Sequence, residues 1–68
     1  MKIEVKNTAD TANKLLKNCI PSIAVNQMLG KCFTVNPGDG SFVVAVPLEN
    51  NVIGRWNVPA ECVKIIEV

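Results

Sequence analysis

Ser41-Phe42-Val43-Val44-Ala45-Val46, the turn Pro47-Leu48-Glu49-Asn50-Asn51 and the run Val52-Ile53-Gly54-Arg55-Trp56-Asn57-Val58 point together to β structure. Both apolar runs are rich in β-branched and aromatic residues and are bounded by proline, glycine and asparagine, the composition of strands separated by a reversal. Upstream, Gly30-Lys31 opens Cys32-Phe33-Thr34-Val35, which runs into Pro37-Gly38-Asp39-Gly40. A proline and two glycines supply the backbone angles of a tight turn, so residues 32–35 are expected to form a hairpin with residues 41–46. Asp39 reads as a turn residue, since one carboxylate cannot fill the shell of about six oxygens that calcium takes. Downstream, Pro59-Ala60-Glu61 reads as a single helical turn before a last strand, residues 62–68.

At the other end, Met1-Lys2-Ile3-Glu4-Val5-Lys6 alternates polar and apolar residues with the period of a half-buried strand. From Thr8 the period changes. Ala9, Ala12, Leu15, Leu16, Cys19 and Ile20 recur every three or four positions, opposite Asp10, Asn13, Lys14, Lys17 and Asn18. This predicts an amphipathic helix capped by Asn7 or Thr8 and ended by Pro21. Residues 22–29 fit either a short second helix beginning at Pro21 or a strand and turn, and strand then turn is expected. The chain is thus expected to be a single domain, residues 1–68, of α+β class with β structure dominating.

Sixty-eight residues leave no room for a second core or a separate catalytic lobe. The composition is 49% hydrophobic and 19% charged with a formal net charge of +1, and the seven basic residues are spread along the chain. No phosphate-tracking surface is visible, so nucleic-acid binding is not expected to lead. With no histidine and no tyrosine, a cysteine nucleophile would have no imidazole partner, and an enzyme is not expected. Cys19, Cys32 and Cys62 match neither a redox pair nor a zinc knuckle, and read as reduced, inert thiols with no metal and no cofactor. No apolar run is long enough for a membrane helix and the first residues do not resemble a signal peptide, so the expected location is cytoplasmic.

From residue 30 onward the layout resembles an SH3-like barrel. SH3 domains join their last two strands by a short helical turn in the pattern aliphatic, proline, two variable residues, tyrosine, valine, and Val58-Pro59-Ala60-Glu61-Cys62-Val63 follows it with Cys62 in the tyrosine's place. The resemblance implies a small SH3-like β-barrel to which the N-terminal amphipathic helix is an addition. The layout is also similar to short phage and prophage-encoded accessory proteins. Those open on a Met-Lys strand, carry a glycine and a charged residue before a Phe-x-Val strand, and close with proline, an acidic residue and cysteine before a Val-Ile end. That similarity implies the host cytoplasm. Peptide-binding SH3 domains dock proline-rich ligands between aromatic residues. Phe33, Phe42 and Trp56 alone do not supply such a groove.

Four residues are the candidate binding set: Arg55, Trp56, Lys31 and Gly30. A tryptophan can stack on a base while a guanidinium, a lysine and glycine backbone hold phosphate. Trp56 shares strand parity with Gly54 and Val58, which assigns it to covering the core, whereas Arg55 points to the opposite face. The two can serve one site only where a subunit boundary or a strand end brings the faces together. A second feature is apolarity on both strand faces: Phe42, Val44 and Val46 oppose Val43 and Ala45, and Val63 and Ile65 oppose Cys62, Ile66 and Val68. One interior buries one set. The other needs the helix face of Leu15, Leu16 and Ile20, a second copy, or a target. The expected function is a non-enzymatic binding module that forms a homo-oligomer and inhibits or occupies a host protein. The alternatives are an oligomer that sequesters a nucleotide-type small molecule and a weakly nucleic-acid-binding barrel.

Overall fold

In the computed structural model, which describes residues 1–38 and 40–68, the first strand β1 (Lys2–Val5) is paired on both sides. After it come helices α1 (Ala9–Lys17) and α2 (Ser22–Met28), then strands β2 (Cys32–Thr34), β3 (Ser41–Pro47), β4 (Ile53–Pro59) and β5 (Val63–Glu67). One 3-10 turn, Glu49–Asn51, lies between β3 and β4, and another, Ala60–Cys62, between β4 and β5. One antiparallel sheet has the order β2-β1-β5 and the other is the hairpin β3-β4. The fold is a small α+β unit of two antiparallel sheets, and the ladders among the described residues do not close a barrel.

The expected hairpin of residues 32–35 with 41–46 does not form. The backbone of β1 takes β2 instead: Gly30 N–H donates to Val5 C=O at 2.9 Å, Val5 N–H to Lys31 C=O at 3.0 Å, and Val35 N–H to Met1 C=O at 2.9 Å. Ile3 and Val5 are fully buried beneath this ladder, so the pairing secures both backbone polar groups and apolar side chains. Gly30 makes the connection at a φ of +74°, a conformation that a side chain disfavours. β3 pairs along its length with β4, from Ser41↔Pro59 to Pro47↔Ile53. Their connection holds Asn50 and Asn51 at positive φ, which asparagine tolerates better than most residues. Asp39 lies outside the described residues.

Residues 22–29 also depart from expectation, forming α2 rather than a strand. Pro21 is its N-cap and its C=O accepts from Ala24 and Val25 N–H at 3.0 Å. Ala24, Val25 and Met28 then make one buried stripe at helical spacing. Thr8 caps α1, its Oγ1 accepting from Thr11 N–H at 3.1 Å and donating to Thr11 Oγ1 at 2.9 Å. Pro21 does not end α1. The helix stops earlier in a Schellman motif, with Cys19 N–H to Leu16 C=O at 3.1 Å and Ile20 N–H to Leu15 C=O at 3.3 Å. Cys19 occupies the left-handed position at φ 64°, and buried Ile20 and Leu15 make the accompanying apolar pair. Cys19 is therefore exposed, not part of an apolar helix face.

The core is a single cluster. Ile3 and Val5 meet Leu15 and Ile20, the α2 stripe, and the inward residues Phe42, Val44, Val46 and Val58, with Cys62 and Val63 closing it. The helices thus cover the inner set of β3 side chains. Val43 and Ala45 stay exposed, and so does Leu16.

Cys19→Gly removes a side chain from a left-handed position and is expected to stabilise the fold by about 1 kcal/mol, raising the melting temperature by about 4–8 °C; an unchanged or lower melting temperature contradicts the helix end described. Burial pushes the Cys62 thiol above its ordinary value and the Glu61 carboxylate adds to this, against smaller opposing effects of Lys14 and Lys6. The protonated thiol is the form the fold favours, so its contribution is complete below the ordinary thiol range and is lost as pH rises through the elevated value. Thermal melts across the alkaline range are expected to show this loss in the native chain and to lack it in Cys62→Ala.

Candidate functional site

β4 is one edge of a two-stranded sheet, and Trp56 sits on it at the position facing Val44. Its neighbour on the same face, Val58, is fully buried, whereas Trp56 is only half-buried while still packing on the core. The indole lies over Gly54, where any Cβ would collide with the six-membered part of the ring. Glycine at position 54 therefore gives the ring its seat on the strand.

Arg55 lies opposite exposed Ala45 and has no ion pair and no side-chain hydrogen bond among the described residues. Among the described residues an ion pair forms elsewhere: Lys14 Nζ is 3.2 Å from Glu61 Oε2, with Lys6 Nζ donating to Glu61 C=O at 3.1 Å. Parity sets Arg55 and Trp56 on opposite faces, yet both line one cleft of about 440 Å³. The cleft wraps the β4 edge against the α1–α2 corner, where Asn18 and Ile20 form its far wall and Ser41 and Asn57 its near one. A second groove, of about 480 Å³, begins on the other side of Arg55 and Asn57 and runs over Val43 and Ala45 to residues 34–38. Arg55 stands between the two. No carboxylate lines either among the described residues.

Lys31 and Gly30 do not join Arg55 and Trp56. Their backbone splices the end of α2 onto β1, with Lys31 N–H donating to Met28 C=O at 3.0 Å and Gly30 N–H to Val5 C=O, and neither residue lines a cleft that Arg55 lines. Their placement follows from the β1–β2 ladder, which holds residue 30 on the first sheet while Arg55 belongs to the second. In their stead the cleft receives Asn18, Ser41 and Asn57. Asn57 was available from its position beside Trp56. Asn18 had no such signal, because the Schellman turn that carries it to the cleft depends on Cys19 taking a left-handed conformation.

Among the described residues no group of three or more cysteine or acidic side chains is placed to hold a metal ion, and no helix is long and apolar enough to cross a membrane. Comparison with protein-family models, with curated proteins and with solved structures finds no match to this chain.

The half-buried position of Trp56 and the solvated one of Arg55 separate their energetic roles. Trp56→Ala is expected to cost about 2–3 kcal/mol, less than for a fully buried tryptophan, and Arg55→Ala under about 0.5 kcal/mol. Chemical denaturation of both variants checks this; equal losses contradict the placement.

Proposed function

We propose that this chain is a non-enzymatic binding module whose ligand is an anionic molecule with a flat aromatic face, of the nucleotide class, held in the cleft at the β4 edge. The observation that carries this reading is the presence of Arg55 and Trp56 in one cleft with no carboxylate among its described lining. A guanidinium presents a planar fork matched to phosphate oxygens. A partly exposed indole offers a face to a base. The amides of Asn18 and Asn57 and the Ser41 hydroxyl supply both donors and acceptors for base edges. The cleft volume falls in the ordinary range of small-molecule sites.

Binding rather than catalysis is supported by the lack of histidine and tyrosine in the sequence and by the burial of the Cys62 thiol, which disfavours its nucleophilic thiolate. A free nucleotide is favoured over a nucleic-acid strand by the net charge of +1 without a basic cluster. The finer fold reading, an SH3-like barrel opened between β2 and β3, is supported by the 3-10 turn Ala60–Cys62 joining β4 to β5. A second reading, a host protein docked on the outer face of β3 and β4, is favoured by Val43 and Ile53, each more than half exposed there.

Titration calorimetry with nucleoside monophosphates is expected to show saturable binding that Arg55→Ala weakens tenfold or more, as for loss of a charged hydrogen bond, while Lys31→Ala, at a residue that lines neither cleft, leaves it unchanged. Absence of heat with every nucleotide overturns the reading. Salt-steep binding of oligonucleotides in place of mononucleotides shifts it to nucleic acid.

A further inference from the structure

β5 is the outer strand of its sheet, so one side of its backbone has no partner strand among the described residues. Its ladder with β1 contains a bulge: Ile3 stands opposite Ile65 and Lys2 opposite Glu67, leaving Ile66 as the extra residue. In a regular strand Lys64 and Glu67, an odd number of positions apart, would lie on opposite faces. The bulge returns Glu67 to the face of Lys64, where the two stand opposite Lys2 and Glu4 respectively. On the other face Val63 and Ile65 stand opposite the fully buried Val5 and Ile3, but cover ends at Val63. Ile65 is 52% exposed and Ile66 42%. The row directed at the core runs out past its own helices.

We infer that β5 pairs antiparallel with β5 of a second copy of this chain about a two-fold axis, in the register that sets Lys64 opposite the second copy's Glu67. That register also sets Ile65 opposite Ile66 and Val63 opposite Val68, so apolar residues meet apolar residues and Lys64 meets Glu67, twice each by symmetry. The bulge is what makes the register consistent, since it alone gives Lys64 and Glu67 a common face. The other free edges carry no such code. β2 has three residues, β3 has no charged residue, and β4 has Arg55 without an acidic counterpart. The pairing rests on β5 alone and is independent of the cleft at β4.

Light scattering and sedimentation of the native chain are expected to give twice the 7.4 kDa chain mass at micromolar concentration. Lys64→Glu and Glu67→Lys, each alone, set like charges against one another and are expected to give monomers with native far-ultraviolet dichroism. Mixed in equal amounts, the two variants restore both opposite-charge pairs and are expected to form a heterodimer. A monomeric native chain, dimers of either single variant, or a mixture of folded variants that stays monomeric overturns the inference. Should either variant not fold, hydrogen exchange of the native chain decides: protection of Ile65 and Ile66 amides that grows with protein concentration supports the pairing, and protection independent of concentration overturns it.

Discussion

β1 is paired on both its edges, and every other element is placed by that pairing. Ile3 and Val5 are fully buried, and the backbone around them is tied to residues at 30–31, at 35 and at 62. A four-residue strand thereby joins the end of α2, the start of the β2–β3 connection and the turn before β5. In a chain of 68 residues, whose core is too small to tolerate much loss, those ties are long-range contacts that no local preference replaces.

What the first sheet takes, the second lacks. Because β2 is committed to β1, the β3-β4 hairpin has no third strand among the described residues, and its outer residues Val43, Ala45 and Ile53 stay exposed. Its β4 edge meets the corner between α1 and α2, and there the inward Trp56 and the outward Arg55 come to one cleft. The binding proposal is thus a consequence of where β1 finds its partners, and Gly54, which gives the indole room over the strand, is the local detail that completes it.

Much of this was legible in the residues. The alternation of Phe42, Val44 and Val46 with Val43 and Ala45 appears in the structure as buried and exposed sets, and Thr8 caps the helix that the spacing of Leu15 and Ile20 announces. The partner of residues 32–35 was not legible. Residues 32–35 and 41–46 flank a turn-forming stretch, but sequence proximity cannot express that Val5 and Met1 offer β2 a better-buried ladder. The seven residues of α2 were ambiguous because Ile23, Ala24 and Val25 are contiguous and only Met28, one turn on, reveals the helical period. At the site, Arg55 and Trp56 were visible as types, whereas Asn18 depends on Cys19 adopting a conformation usual for glycine. Lys31 and Gly30 were drawn to phosphate by type and claimed by the backbone of β1.

Whether Arg55 and Trp56 form one site across the edge of β4 can be read from the magnetic resonances of the two side chains. Trp56 is the only tryptophan and Arg55 the only arginine in the chain, so the indole N–H and the guanidinium Nε–H each give one unambiguous signal. Titrated with a nucleoside monophosphate, both signals are predicted to shift with a single common midpoint. Movement of one without the other, or two separate midpoints, contradicts a shared site.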